Sequence, residues 1–272
     1  MSESRGNKPE LVHWITERWK VLHLKDAGFE KPWSEDPVFQ TTYFCNVRRE
    51  DDKVTKWIRT NWSQGYPKEN YTLAMMAARL FNRPSTLEQL KYPDRWEPEE
   101  WRGKLKFMEA MRVKVWGNAY VVTTHGIPGN KIDYAIRILS DAYEKAPIFN
   151  FSTLDHYHRC LMTMEGFGSF MAAQVVADLK NTPNHPLQKA EDWWTFCAPG
   201  PGSLRGIEWA LGRKVSPAKF PDEMRALKDE LEPQYELKLC AQDFQNCLCE
   251  FDKYMRVRNG TGRSKRGYPG QS

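Results

Sequence analysis

Apolar residues recur at intervals of three and four along most of this chain, and this helical period of about 3.6 residues constrains the fold more than any other feature. The first such segment, residues 11–24, places Leu11, Trp14, Ile15 and Trp19 on one face. Further segments follow at residues 71–81, 97–115, 131–146, 152–164, 170–179, 204–211, 222–235 and 241–257. Only residues 120–124 look like a strand, and one short strand cannot build a sheet. The sequence therefore predicts an all-α fold.

Composition excludes several classes of protein. The chain has 272 residues, and its 40 Lys+Arg against 35 Asp+Glu give a net charge of +5, too small for a histone-like coat of charge. Its apolar stretches are too short to span a membrane, and no apolar core of a secretory signal follows Met1. We therefore expect a cytoplasmic protein with reduced cysteines. Its 11 Trp suit a large aromatic core or stacking surfaces for bases.

No repeat, low-complexity stretch or Gly/Ser linker divides the chain, so we expect one helical domain over residues 1–258. Residues 259–272 form a basic tail without any acidic residue. The tail suits either a solvated flexible terminus or an arm that contacts phosphates.

A Gly-aromatic-Gly turn lies between two predicted helices, within residues 161–173. Gly166 and Gly168, on either side of Phe167, can adopt positive φ and allow a nucleic-acid backbone to approach closely. Amides at the start of the next helix, from Ser169 onward, can then point at a phosphate. These four residues are the predicted DNA contacts.

Asp192 lies 24 residues after Gly168, where we expect a helix to begin. A carboxylate at such a position can cap the helix or face a substrate, and the two roles do not exclude each other. Both interpretations stay open.

Two further segments concentrate charge. If residues 44–59 are helical, Arg49 shares a face with Asp52 and Lys53, and Asp52 shares one with Arg59. Interleaved apolar residues indicate packing on more than one side, so some of these charges need partners or a ligand, although a salt-bridged solvent face is the alternative. Near the C-terminus, Glu250 and Lys253 share a helical face, and Asp252 suits an ion pair within the helix.

These segments, taken in order, resemble the α-glutamyl/putrescinyl-thymine pyrophosphorylase family. The resemblance rests on Asn46, Arg49 and Asp52 with their spacing, on the hairpin with Asp192, and on residues 248–254, and it covers residues 40–258. The family is a divergent branch of the helix-hairpin-helix DNA glycosylase superfamily and comprises phage enzymes of thymine hypermodification. The resemblance implies a glycosylase-like helical fold and an enzyme that works in the cytoplasm of an infected bacterium.

The implied substrate is double-stranded DNA that carries a phosphorylated or pyrophosphorylated 5-hydroxymethyluracil, flipped out of the helix. The implied reaction replaces that phosphate with an amine from an amino acid such as glycine or a polyamine such as putrescine. The chain has no Walker A motif, so it is not the kinase that prepares this substrate. No metal or cofactor is expected, apart from a monovalent cation at the hairpin.

Each step of this reaction needs a particular kind of side chain. An amide can hold the edge of the uracil, cations can bind the leaving phosphate, a carboxylate can take the proton of the amine, and a cation can bind the carboxylate of an amino-acid donor. Asn46 is the candidate for the uracil edge, and Arg49, Lys53 and Arg59, in a segment with Asp52, are the candidates for the phosphate. Asp192 is the first candidate for the proton of the amine and Glu250 the second. Arg205 or Lys253 could bind the carboxylate of an amino-acid donor.

Two alternatives to a transferase remain open. A glycosylase with lyase activity is excluded, because Phe170 stands where such enzymes carry their Schiff-base lysine. A monofunctional glycosylase, however, needs only the flipping pocket and Asp192. A non-catalytic DNA-binding module needs only the hairpin and the basic tail.

Overall fold

A computed structural model describes residues 6–62, 68–118, 129–145 and 152–262. Within these ranges the chain forms twelve α-helices and no strand, which confirms the all-α prediction. The predicted strand at residues 120–124 lies outside the described residues, as does the tail from residue 263 onward. Among the described helices, none has the length and apolar character needed to cross a bilayer.

The helices are α1 (Lys8–Asp26), α2 (Pro37–Thr41), α3 (Lys53–Asn61), α4 (Tyr71–Phe81), α5 (Pro84–Leu90), α6 (Pro98–Ala110), α7 (Lys131–Lys145), α8 (Leu154–Leu161), α9 (Ser169–Lys180), α10 (Pro201–Leu211), α11 (Phe220–Leu231) and α12 (Ala241–Arg258). Single 3₁₀ turns lie at Arg49–Asp51, Pro186–Lys189 and Glu232–Gln234.

Most predicted helices are present, and local backbone chemistry explains where they end early. Helix α4 begins and ends where the periodicity places it. Helix α6 stops at Ala110 because Arg112 adopts a positive φ of 56°, which an α-helix cannot contain. Helix α11 stops at Leu231 and passes into a 3₁₀ turn that contains Pro233.

The helical arrangement considered for residues 44–59 is absent from their first half. Arg48 has extended backbone angles, and α3 begins only at Lys53. Polar side chains here bond locally in ways that compete with a helix. Asn46 Nδ2 donates to the carbonyl of Asp51 (2.6 Å), and the Arg48 guanidinium pairs with the Asp51 carboxylate (3.1 Å).

The chain divides into two compact units. The first unit comprises Met1–Asp52 and Trp194–Ser272, and the second comprises Lys53–Trp193. Helices α1, α2 and α10–α12 belong to the first unit, and α3–α9 belong to the second. The assignment of residues 1–258 to one domain stays a prediction.

Helix α12 is the centre of the first unit, where α1, α10 and α11 pack against it. The approach of α10 is so close that a Cβ atom on Gly206 would lie 1.9 Å from the carbonyl oxygen of Leu248. The core of the same unit contains a fully buried aromatic pair, in which the rings of Trp14 and Phe44 meet edge to face at 5.8 Å.

The second unit is held by a buried ion pair between α4 and α9. The guanidinium of Arg79 and the carboxylate of Asp178 are both fully buried and hydrogen bonded to each other. Thr55 of α3 donates to Asp178 Oδ1 (3.0 Å) and accepts from Arg79 Nη2 (2.6 Å). Because removal of one partner would leave a buried charge uncompensated, this network fixes α3, α4 and α9 together.

The pH dependence of stability should report on His185. This ring is buried, accepts the N–H of Leu187 through Nδ1 (3.1 Å), and has its pKa lowered by burial from 6.5 to about 4. Between these two values the unfolded chain binds a proton that the folded chain does not. Stability should therefore fall by on the order of 3 kcal/mol as pH drops from 6.5 to 4.

Urea unfolding at a series of pH values measures this effect, with His185→Asn as the comparison because its amide oxygen can accept the same N–H. The variant should lose less stability on acidification than the wild type. Parallel pH profiles for the two proteins would contradict the assignment.

Two glycine substitutions should change stability in opposite directions. Gly206→Ala forces a methyl group against the Leu248 carbonyl and should destabilise the fold by about 2 kcal/mol or more. Gly103→Ala, within α6, places its methyl where no atom lies within 4 Å and should stabilise by about 0.5–1 kcal/mol. Urea midpoints measure both, and equal effects would refute the close contact.

Candidate functional site

One face of α12 binds the backbone of residues 43–49 through side-chain hydrogen bonds, an arrangement that we call the α12 ladder. At its first end, Asp243 Oδ1 accepts the N–H of Arg49 (2.8 Å). Next along the helix, Asn246 Nδ2 donates to the carbonyl of Asn46 (3.2 Å). Asp243 is buried, so its carboxylate needs hydrogen-bond donors, which are this backbone N–H and the thiol of Cys240 (3.1 Å).

The second half of the α12 ladder contains the two charged residues that the sequence singled out. Glu250 Oε2 accepts the N–H of Cys45 (3.0 Å), and Lys253 Nζ donates to the carbonyl of Tyr43. Glu250 and Lys253 also pair with each other at 3.5 Å. The predicted shared face of these residues is therefore present, and it faces residues 43–49.

A buried arginine that sequence reasoning missed fixes the middle of the segment. Arg18 of α1 donates through Nε to the carbonyls of Phe44 (3.2 Å) and Cys45 (2.9 Å), and through Nη2 to Asn46 Oδ1. The amide proposed to hold a uracil is thus already bound by protein groups on both its atoms. The sequence feature that could have revealed this residue is the position of an arginine on the apolar face of α1, one turn after Trp14.

Arg205 lies in the same unit and binds a buried carboxylate. Asp252 accepts from Arg205 Nη2 (2.9 Å), from Arg256 Nε (3.2 Å) and from Trp209 Nε1 (3.3 Å). The bond from Arg256, one turn along α12, confirms the predicted ion pair within the helix. Half of the Arg205 side chain remains exposed.

The thiols near this site are poor nucleophiles. Burial raises the pKa of Cys249 to about 11 and also raises that of Cys247. Both therefore stay protonated near neutral pH. Across the described ranges, no three His, Cys, Asp or Glu side chains are grouped so as to hold a metal ion.

The hairpin lies in the second unit, between α8 and α9. Gly166 has a φ of +81°, and a Cβ there would lie 2.8 Å from Ile138 Cδ1, so the turn itself requires this glycine. Gly168 precedes α9, and a Cβ there would meet no atom within 4 Å. Phe167 is fully buried between them, whereas Phe170 is 58% exposed.

Asp192 binds the start of α8 rather than the start of its own helix. Its Oδ1 accepts the N–H of Leu154 (2.8 Å) and its Oδ2 accepts the N–H of Asp155 (2.9 Å). The predicted helix start at this position is wrong, because residues 191–195 form turns. A carboxylate at a helix N-terminus satisfies its unpaired amides, and whether it also meets a substrate stays a prediction.

The candidate residues thus fall into two groups. The first unit contains Asn46, Arg49, Asp52, Arg205, Glu250 and Lys253, and the second contains Lys53, Arg59, the hairpin glycines and Asp192. Of the three segments that the sequence singled out, the α12 ladder joins residues 44–59 and residues 248–254, but not the hairpin.

Comparison with known proteins assigns the family. A family model described as the helical domain of 5-hmdU DNA kinase matches residues 8–264, nearly the whole chain. The chain belongs to this family. A 5-hmdU DNA kinase of Bacillus phage SP10 is 27% identical over an alignment of 223 residues that covers 72% of this chain and 35% of the relative. The chain therefore spans about a third of that relative's length. No solved structure matches it.

This membership confirms the coarser part of the resemblance, a phage family concerned with 5-hydroxymethyluracil in DNA. The finer assignments, to the pyrophosphorylases and to the helix-hairpin-helix glycosylase superfamily, stay predictions.

Substitution of Asp192 should reveal the energy of the α8 cap. Asp192→Ala removes both acceptors and should lower the free energy of unfolding by about 1–2 kcal/mol, while Asp192→Asn keeps one acceptor and should lose about half as much. Asp141→Ala, at an exposed ion pair of the same unit, should change stability by less than about 0.5 kcal/mol. Urea unfolding measures all three, and an Asp192→Ala value within the control's range would contradict the cap.

Proposed function

We propose that this chain is a DNA-modifying transferase of thymine hypermodification. It replaces the phosphate of a phosphorylated 5-hydroxymethyluracil in duplex DNA with an amine. The observation that carries the proposal is the α12 ladder, which brings Asn46, Arg49, Glu250 and Lys253 into one unit from segments 200 residues apart. Family membership supports 5-hmdU DNA as the substrate class.

The charges at the α12 ladder suit the loss of a phosphate. Arg49 lies 3.9 Å from Asp52, and Lys253 lies 3.5 Å from Glu250, so each cation has a carboxylate partner within its own unit. A phosphate that enters can compete for both cations, because charge-assisted hydrogen bonds to phosphate are strong and frequently bidentate with arginine. The leaving group would thus be bound as its C–O bond breaks.

The chain acts, in this proposal, after phosphorylation. It has no Walker A motif, so we assign the ATP-dependent phosphorylation of 5-hydroxymethyluracil to a kinase other than this chain. The family name of a kinase is consistent with a helical domain that binds the same modified DNA as the phosphorylating enzyme.

A second candidate is a DNA-binding domain without chemistry of its own. One observation favours it, namely that both oxygens of Asp192 already bind backbone amides of α8. Such a domain would use the hairpin, where Gly168 is open to the close approach of a phosphate backbone.

Nucleoside mass spectrometry separates these functions. Duplex DNA that contains phosphorylated 5-hydroxymethyluracil is incubated with the protein, glycine and putrescine, and the nucleosides are then analysed. An amine adduct on thymidine supports the transferase and names its donor. Abasic sites without adduct would identify a glycosylase, and unchanged DNA that is nevertheless bound would identify the binding domain. If Asp192 takes the proton of the amine, Asp192→Asn abolishes transfer but keeps DNA affinity, while Asp141→Asn retains both.

Gly168→Val should weaken DNA binding without damage to the fold. The backbone angles at Gly168 (φ −64°, ψ 175°) are ordinary for any residue, and a Cβ atom there would meet nothing within 4 Å. A valine there blocks the approach of a phosphate, so we expect at least about a tenfold loss of affinity at an unchanged unfolding midpoint. Fluorescence anisotropy with labelled duplex measures this, and wild-type affinity would refute the hairpin contact.

A further inference from the structure

An open groove of about 900 Å³ lies in the first unit, beside the end of the α12 ladder. It is lined by the first turns of α1, by α2 and by the last turns of α12. The polar side chains in its lining are Glu10, His13, Asp36, Thr41, Tyr254 and Arg258. Tyr254 directly follows the ladder residue Lys253, so the groove and the ladder are neighbours.

Three of these side chains form a hydrogen-bonded array. His13 Nε2 lies 3.1 Å from Asp36 Oδ2, and the Tyr254 hydroxyl donates to the same oxygen (2.8 Å). The other oxygen of Asp36 accepts the N–H of Val38 (2.8 Å) and caps α2. Burial would raise the pKa of Asp36, but the hydrogen bonds from Tyr254 and His13 outweigh it and lower this pKa.

An ionised Asp36 selects one tautomer of the neutral His13 ring. Its carboxylate can only accept, so Nε2 of His13 is the donor and Nδ1 is the acceptor of the neutral ring. The His13 side chain is 49% exposed at the groove, whereas Asp36 is 13% exposed behind it. This is the arrangement of a proton acceptor oriented by a carboxylate.

We propose that this groove binds the primary amine of the donor and that His13 takes its proton, with Asp36 as a positioning residue. The inference rests on the proposed function and names the substrate class and base of that reaction. The two carboxylates that the sequence suggested, Asp192 and Glu250, each already accept backbone N–H groups. His13 has an acceptor nitrogen that the Asp36 contact does not use.

The groove has side chains that suit both the ammonium group of a small amine and the opposite end of the molecule. Carboxylates attract an ammonium group, and Val38 and Val257 provide an apolar wall for methylene groups. Glu10 and Arg258 lie 3.8 Å apart at the groove. Glu10 suits the second ammonium of a diamine, and Arg258 suits the carboxylate of an amino acid.

The proton and electron balance is complete within the proposed reaction. The donor's ammonium gives one proton to Nδ1 of His13, and the freed lone pair forms a C–N bond at the exocyclic methylene of the uracil. The C–O bond to the phosphate breaks and its electron pair leaves with the phosphate. The imidazolium then returns its proton to water.

Binding is tested first, on the full chain, with putrescine and with glycine as separate probes. Ring resonances of His13 and Tyr254 should shift in a saturable manner with one of the amines, while those of His23, elsewhere on α1, should not. Glu10→Gln should weaken putrescine binding about tenfold, or Arg258→Gln should weaken glycine binding about tenfold, which identifies the donor. Absence of any His13 shift with either amine overturns the inference.

Catalysis is tested next through the rate of adduct formation as a function of pH. His13→Gln should reduce the rate by about a hundredfold or more and flatten the acidic limb of the profile, and Asp36→Asn, which keeps the α2 cap, should lower it less. The groove also places Asp36, Tyr254, Glu10 and Arg258 around His13. Single variants of each therefore show which group causes the fall in rate at acidic pH. His23→Gln is the control.

The two proposals fail in different ways. If adduct forms and His13→Gln matches His23→Gln in rate and pH profile, the inference is wrong and the transferase stands. If His13 responds to the amine but wild-type protein forms no adduct, the amine site stands and the transferase is wrong. Unfolding midpoints of both variants show that the fold is retained.

Discussion

The close contact between α10 and α12 is the constraint on which the first unit depends. Gly206 brings α10 against the Leu248 carbonyl, and Asp252 binds Arg205 from the same side of α12. The ladder residues Asp243 and Glu250 lie, by helical spacing, on the other side. A single helix is therefore fixed by α10 on one face and holds residues 43–49 on the other, so any shift of α10 is transmitted to the candidate site.

In the second unit the helices are held together by a buried ion pair instead of a small residue. Arg79 and Asp178 lie without solvent contact, and their pairing holds α3 and α4 to α9. Helix α9 follows the hairpin directly, and Asp192 fixes the start of α8, at the end of that helix remote from the hairpin. Closer to the turn, the ring of His158 in α8 lies 2.9 Å from the carbonyl of Ser169, so the helices on the two sides of Gly166 and Gly168 are joined.

The fold could be predicted from the sequence where apolar periodicity is strong, as in α4, whose bounds match. The helical arrangement considered for residues 44–59 is absent from their first half, where side chains such as Asn46 bond to nearby backbone, which periodicity does not register. Shared faces within one helix, Glu250 and Lys253, were predictable from spacing alone. Contacts between distant segments were not: Asp192 capping α8, and Arg18 binding residues 44–46, need the tertiary structure.

The α12 ladder has a consequence for how this family can diverge. Its hydrogen bonds end on main-chain atoms of residues 43, 45, 46 and 49, so these four bonds do not depend on the side chains at those positions. Only proline is barred at 45 and 49, where an N–H must donate. A substitution at 43, 45, 46 or 49 can therefore leave the ladder in place, whereas Phe44 and Val47 are tied to the core by their buried side chains. The path of this segment is set by backbone atoms, which a change of side chain does not remove.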